Sequence, residues 1–147
     1  MVRDLEALNE LSQKVIAACI EVHRELGPGL LESAYEVCLA RELVLMGVPF
    51  QRQVAVPVAY KGERLDSGYR IDLLVDGRVV VELKAARNPP GLPRAQVLTY
   101  LKLMNLRLGL GVNFNQARLV DGITRVIHDL QTGADRHSSA SSASSAV

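Results

Sequence analysis

The chain has 147 residues, of which 48% are hydrophobic, and 17 Lys and Arg residues nearly balance 16 Asp and Glu residues. This length favours one continuous core, and a net charge of +1 is unlike the strongly basic balance of dedicated duplex-DNA binders. With no apolar run of about twenty residues and an acidic amino terminus unlike an export signal, we expect a cytoplasmic protein without a membrane partner.

Two amphipathic helices are predicted first in the chain. Apolar residues recur in steps of three and four from Leu5 to Leu26, and Gly27-Pro28-Gly29 ends this stripe. A second helical pattern stops near Gly47, whose missing side chain suits a left-handed cap. Cys19 and Cys38 fall within these helices without metal-ligand spacing, so we expect free, buried thiols of a reducing compartment.

Strand patterns with an apolar period of two follow the helices. Residues 53–60 alternate in this way, and Pro57 predicts that the strand lies at an edge or contains a bulge. Two further strands are predicted from Tyr69 to Val75 and from Arg78 to Lys84. The Asp76-Gly77 dipeptide between them favours the tight type I′ turn of an antiparallel hairpin.

The remaining pattern completes an α/β fold. Residues 92–107 show helical spacing, residues 108–114 form an apolar run of strand length, and residues 123–128 are the last predicted strand. This order predicts a central mixed sheet flanked by helices. We assign residues 1–136 to a single domain and expect the Ser/Ala-rich residues 137–147 to form a disordered tail.

Acidic side chains are expected to converge on the predicted hairpin. With the turn as pivot, residues whose numbers sum to 153 should lie opposite each other, which sets Asp72 opposite Val81 and beside Glu82. Glu82 and Lys84 share one face of their strand because side chains alternate. Charges within apolar strands need a compensating ion pair or bound cation, and carboxylate oxygens suit Mg²⁺.

The run from Asp72 to Lys84 has the form D-x9-E-x-K. This form resembles the metal-binding and catalytic signature of the PD-(D/E)-x-K nuclease superfamily, although Ile71 stands where the name has proline. Downstream, Gln96 and Tyr100 form a Q-x3-Y pair similar to the motif of the RecB-like branch. The resemblance implies a restriction-endonuclease-like core and a set of catalytic residues, namely Asp72, Glu82, Lys84, Gln96 and Tyr100.

A second signature lies upstream of the predicted hairpin. Gly29, Glu32 and Tyr35 match the G-x2-E-x2-Y pattern of a family of small bacterial proteins in the same superfamily, and residues 5–130 as a whole resemble that family. By this resemblance Glu32 is a candidate third acid that would hold metal through water, and Tyr35 a candidate supporting group. Glu32 also stands in a first helical turn, where the helix dipole favours a negative charge, so a structural role explains it equally.

The resemblance implies metal-dependent hydrolysis of phosphodiester bonds, with nucleic acid, and specifically DNA, as the expected partner. Mg²⁺, for which Mn²⁺ can substitute, would be held by Asp72, Glu82 and the Leu83 carbonyl, with Glu32 as a further ligand through water. Lys84 would position the attacking water and stabilise the transition state.

Alternative explanations of these residues stay open. Asp, Glu and Lys on a hairpin can form a partly exposed salt-bridge cluster, and Tyr100 can be a core residue whose hydroxyl Gln96 satisfies. A catalytically silent module that binds protein or nucleic acid, and a hydrolase of RNA or nucleotides, are the alternative functions. The oligomeric state is open, and a homodimer is compatible with the sequence.

Overall fold

The computed structural model describes residues 2–87 and 92–130, so the tail expected at 137–147 lies outside the described residues. Within them, no helix has the length and apolar character that crossing a membrane requires. The elements are, in chain order, α1 (Val2–Leu26), α2 (Glu32–Leu45), β1 (Phe50–Tyr60), β2 (Glu63–Val75), β3 (Val79–Lys84), α3 (Leu92–Met104), β4 (Leu108–Asn113), a short 3-10 helix (Leu119–Gly122) and β5 (Ile123–Ile127).

The strands form one mixed sheet in the order β1-β2-β3-β4-β5. All neighbours are antiparallel except β3 and β4, which run parallel and are joined through α3. A parallel pair needs such a crossover, because a tight turn cannot return the chain to the same end of the sheet. The predicted α/β class with a central mixed sheet is therefore confirmed, and β3 is its central strand.

Helices cover both faces of the sheet, and alternate side chains of β3 pack against the helices on opposite faces. Val79 and Val81 pack in the apolar cluster that includes α1 and α2, whereas Val80 packs with Val97 and Leu101 of α3. The approach of α3 to β4 depends on Gly109, because a Cβ at this position would clash with Cγ1 of Val97. Glu82 and Lys84 alternate with Val79 and Val81 along the strand, so they lie on the α3 side of the sheet.

The first two strands are longer than the sequence pattern predicted. β2 begins at Glu63, because Lys61 and Gly62 adopt positive φ and close a hairpin in which residues 63–66 pair with the end of β1. β1 begins at Phe50, because residues 50–52 pair with residues 73–75 of β2. The register shifts between Ala55 and Pro57. The prediction of a bulge or edge position at Pro57 is thus confirmed, since proline cannot donate a main-chain hydrogen bond to the ladder.

The second hairpin has the predicted turn but a different register. Asp76 and Gly77 both have positive φ, as a type I′ turn requires, and Arg78 N–H donates to the Val75 carbonyl over 3.0 Å. Val75 pairs with Val79 and Leu73 with Val81, so Arg78 is an additional turn residue and the predicted register is wrong by one.

The apolar side chains explain this register. Leu73 and Val81 both belong to the cluster under α1 and α2, and only a register that pairs them buries both on one face. If this register is continued by one residue, Asp72 lies opposite Glu82. The sequence had predicted that Asp72 lies opposite Val81.

The cysteines are free, as the sequence predicted. Cys19 is fully buried, and burial raises the pKa of its thiol to about 12, so this thiol stays protonated at neutral pH. Cys38 is only partly buried, and the prediction of a buried thiol therefore holds in full for Cys19 alone.

Tyr35 stabilises the segment that connects α1 and α2. Its ring is fully buried and stacks on Phe114 with the ring centroids 4.3 Å apart. Its hydroxyl donates to the Gly27 carbonyl over 2.6 Å and accepts from Leu30 N–H over 3.1 Å. A single side chain thereby satisfies main-chain groups on both sides of the Gly-Pro-Gly segment, which gives Tyr35 a structural role.

The Tyr35→Phe variant is expected to lower the free energy of unfolding by about 1–3 kcal/mol, because it removes two hydrogen bonds to main-chain groups while keeping the ring. Urea denaturation would measure the loss. Tyr60→Phe is the matched control, since the Tyr60 side chain is exposed and its variant should unfold like the wild type. Equal stability of the Tyr35→Phe and Tyr60→Phe variants would contradict the structural role.

Candidate metal and catalytic site

The candidate site lies where β2 separates from β3. Pairing between these strands reaches only Leu73 and Val81, whereas β3 continues beside β4 as far as the pair Lys84 and Asn113. At the point of separation, Oδ2 of Asp72 accepts a hydrogen bond from Leu83 N–H over 2.8 Å. A carboxylate thus takes a main-chain donor at the edge of β3 that faces β2.

The Leu83 carbonyl points to the same edge of β3. The carbonyl of Lys84 accepts from Phe114 N–H over 2.9 Å on the β4 side, and successive carbonyls of a strand point to opposite edges. Leu83 therefore directs its main-chain oxygen toward β2 and Asp72. This geometry is compatible with the expected use of that carbonyl as a ligand.

Glu82 is a buried acid without enough hydrogen-bond donors. Its side chain is 3% exposed, and Oε1 has no hydrogen-bond partner among the described residues. The pKa of Glu82 is raised to about 9, chiefly by burial and also by contact with the Asp72 carboxyl and its charge, whereas the Lys84 charge acts in the opposite direction. Without a bound cation Glu82 therefore holds a proton at neutral pH.

Lys84 lies at the end of β3, half-buried, beside a groove of about 420 Å³. No ion pair within 4.0 Å joins Lys84, Asp72 or Glu82 to an oppositely charged group in the described part of the chain. The groove is lined by Tyr69, Lys84, Ala95, Gln96, Thr99 and Tyr100. The ammonium group therefore faces a space that an anionic ligand can enter, and no salt-bridge cluster is formed.

Gln96 and Tyr100 bring α3 into the site. Gln96 Nε2 donates to the Tyr100 hydroxyl over 2.9 Å, as expected for residues four apart on a helix. Burial raises the pKa of the Tyr100 hydroxyl, and the charges of Glu82 and Asp72 add to this increase. Tyr100 is thus both a core residue satisfied by Gln96 and a neighbour of the two acids.

Glu36 and Gln53 belong to the site although sequence reasoning missed them. Glu36 is buried and accepts hydrogen bonds from Nε and Nη2 of Arg52, over 3.0 and 2.8 Å, and from Gln53 Nε2 over 2.7 Å. The same Gln53 nitrogen donates to Asp72 Oδ1 over 3.3 Å. Gln53 bridges α2 and β2 from a backbone with φ of 52°, which is rare for a residue other than glycine.

A signal for Glu36 was present in the sequence. Glu36 lies between Tyr35 and Leu39 on the buried stripe of α2, where a carboxylate needs partners. The glutamate of the predicted signature, Glu32, stands one turn earlier and is exposed. Glu32 has no hydrogen bond or ion pair with the described residues, so the structure does not bring it into contact with Asp72 or Glu82.

The residues at this site fit a divalent cation of the Mg²⁺ class. Asp72, Glu82 and the Leu83 carbonyl offer only oxygen atoms, and Mg²⁺ typically binds one or two protein carboxylates while keeping several waters. The unpartnered Oε1 of Glu82 is an acceptor that a cation would satisfy. Across residues 4–87 and 94–130, no group of three or more His, Cys, Asp and Glu side chains is placed to hold a metal ion.

The sequence matches the model of a known protein family. The family model of the PD-(D/E)XK nuclease superfamily matches residues 9–126, which include every element from α1 to β5 in whole or in part. Neither the curated proteins nor the solved structures contain a match to the chain.

The Glu82→Gln variant is expected to stabilise the metal-free fold increasingly as the pH rises. Because the pKa in the folded protein is about 9 against an ordinary value of 4.5, the folded state keeps a proton that the unfolded state releases. Stability therefore falls between these values, by up to about 1.4 kcal/mol per pH unit for one proton. Glutamine is uncharged and can still donate to Asp72.

Calorimetric unfolding of both proteins in EDTA at pH 5, 7 and 9 would measure this difference. The control is Glu63→Gln, whose exposed side chain on β2 is hydrated in both states and should leave the profile unchanged. A constant difference between wild type and Glu82→Gln across this range would show that burial does not hold the proton on Glu82.

Proposed function

The chain belongs to the PD-(D/E)XK nuclease superfamily, and we propose that it hydrolyses phosphodiester bonds in DNA with a divalent metal ion bound at Asp72 and Glu82. Membership supports a nuclease-type function acting on nucleic acid, and nucleases of this superfamily generally use divalent metals. The observation that carries the proposal is the buried, unpartnered Oε1 of Glu82 beside Asp72 on the central strand. An acceptor of this kind is costly unless a proton or cation satisfies it.

In the proposed site Asp72, Glu82 and the Leu83 carbonyl hold Mg²⁺ or Mn²⁺. When bound there, such an ion would supply Lewis-acid chemistry, polarising the scissile phosphate and lowering the pKa of a bound water. Asp72 is oriented for this task by Leu83 N–H and by Gln53, which Glu36 holds in turn. This support restricts the Asp72 side chain to one direction before any ligand arrives.

Lys84 supplies positive charge to the reacting phosphate. Its ammonium lines the groove without an ion pair among the described residues, so it can contact a phosphate oxygen or an attacking water. A fixed donor at this position stabilises the negative charge that develops in the transition state. The Tyr100 hydroxyl accepts from Gln96, which leaves its own proton available for an oxygen atom in the groove.

A catalytically silent nuclease-fold module is the second candidate function. The net charge of +1 favours it, because affinity for duplex DNA rests largely on contacts between basic residues and phosphates. Hydrolysis of RNA or nucleotides is the third. From the match of Gly29, Glu32 and Tyr35 to the G-x2-E-x2-Y signature, we also propose that the chain belongs to that family. A panel of single-stranded, duplex and branched DNA, RNA and nucleotides, each with Mg²⁺ or Mn²⁺, would separate these functions.

Asp72→Asn is expected to weaken Mn²⁺ binding at least about tenfold, because the amide keeps the size of the side chain and removes the charge of a metal ligand. Calorimetric titration of Mn²⁺ into the wild-type and variant proteins would measure the loss. Asp66→Asn changes an exposed carboxylate of the same strand and should bind like the wild type. Unchanged affinity of Asp72→Asn would exclude Asp72 as a ligand.

Lys84→Ala is expected to bind Mn²⁺ like the wild type and to lose about a hundredfold or more in cleavage rate. An ammonium group is no metal ligand, and removing one preorganised donor has effects of this size. Lys84→Arg keeps the charge on a wider planar group and should restore little activity.

Lys14→Ala, an exposed change on α1, is the matched control for cleavage. Cleavage by Lys84→Ala at the wild-type rate would remove Lys84 from the catalytic residues. If the wild-type protein cuts none of the substrates in the panel with either metal, the nuclease activity is excluded and the silent module replaces it.

A further inference from the structure

The hairpin formed by β1 and β2 extends beyond the rest of the sheet. β3 pairs with β2 only over Leu73–Val75, so residues 57–70, here called the arm, have no third strand beside them. The base of the arm is anchored on α3, because Val56 and Ile71 are buried in one cluster with Tyr100. The arm therefore leaves the domain next to the groove that contains Lys84.

Tyr69 is the arm residue that reaches this groove. Its side chain is 54% exposed, although it lines the groove together with Lys84. Its ring centroid lies 6.2 Å from that of Tyr100, and the two planes are tilted by 60°. This arrangement is a favourable aromatic pair, so the buried Tyr100 restrains one side of the Tyr69 ring while much of the ring stays open to solvent.

The surroundings of Tyr69 favour an anionic ligand that carries a flat aromatic group. Lys84 supplies a cation within the same groove that Tyr69 lines. An exposed aromatic ring beside basic groups is the combination that proteins use to stack single-stranded bases while contacting their phosphates. In continuous duplex DNA both faces of each base are covered by neighbouring bases, so the ring has no face to stack on.

We propose that Tyr69 stacks on an unpaired nucleobase next to the scissile phosphate, so that the site selects single-stranded or locally unpaired DNA over continuous duplex. This inference rests on the proposed nuclease function and specifies its substrate class. The stacked base would lie over the open part of the Tyr69 ring, and its phosphate would be directed toward Lys84. Tyr69 thereby acts as a specificity-determining residue and takes no part in the bond cleavage.

The test measures DNA binding without metal, so that no cleavage interferes. Fluorescence anisotropy in EDTA would give the affinity of a labelled single strand and of the matching duplex. Tyr69→Ala is expected to weaken single-strand binding about tenfold, the order of one lost aromatic stack, and to leave duplex binding unchanged. Tyr69→Phe keeps the ring and should restore the affinity.

Tyr60→Ala is the matched control, because Tyr60 is 59% exposed on the same hairpin but does not line the groove. A strand with 2-aminopurine in place of adenine adds a direct signal for stacking. Its fluorescence should be quenched by the wild type and by Tyr69→Phe, and not by Tyr69→Ala. Thermal melts should show Tyr69→Phe and Tyr60→Ala unfolding like the wild type and Tyr69→Ala only slightly lower, since it loses one aromatic pair, so that all variants are folded at the temperature of the binding assay.

The inference is overturned if the wild type binds the single strand no better than the duplex, or if Tyr69→Ala and Tyr60→Ala behave alike. Binding of neither DNA overturns it as well. These outcomes are distinct from failure of the proposed function, which Mn²⁺ titration and the cleavage panel decide. A protein that stacks a single strand through Tyr69 but binds no metal would keep the selection of single-stranded DNA and lose the nuclease activity.

Discussion

The contact between the carboxyl groups of Asp72 and Glu82 is the constraint on which the rest of the site depends. Glu82 lies on the central strand, covered by helices on both faces of the sheet, and its burial is costly to a charged carboxylate. The apolar residues around Glu82 stabilise the sheet by packing. Because they also exclude water from Glu82, its carboxylate needs a proton or a cation. Stability of the core and chemistry at the site thus make opposite demands on one side chain.

The separation of β2 from β3 turns this pair of acids into an accessible site. Where main-chain pairing ends, Asp72 takes the Leu83 N–H, and the Leu83 carbonyl faces the same opening. Gln53 then links Asp72 to Glu36 on α2. Its left-handed backbone is sustained by these hydrogen bonds, which fits the general finding that strained residues persist where the surrounding structure holds them. The continuation of β1 and β2 as an arm extends this opening toward Tyr69.

Much of this arrangement was predictable because short-range patterns carry it. The Asp76-Gly77 turn, the alternation along β3 and the i, i+4 contact of Gln96 with Tyr100 are local, and the structure contains all three. The register was predicted wrongly by one residue, because the turn dipeptide alone does not reveal that Arg78 stays in the turn. Glu36 was missed because its position on the buried stripe of α2 shows only that it needs partners, and these partners, Arg52 and Gln53, lie on another element.

By itself, the sequence determined the α/β class, the order of the elements and the acids of the central hairpin. These features follow from hydrophobic periodicity and turn chemistry, which act over a few neighbouring residues. Tertiary structure alone decided that Asp72 stands opposite Glu82, that Glu36 is linked to Asp72 while Glu32 is exposed, and that Tyr69 shares a groove with Lys84. The physical reason is that these relations depend on which surfaces pack together, and packing selects among registers and helix rotations that are equivalent in local sequence.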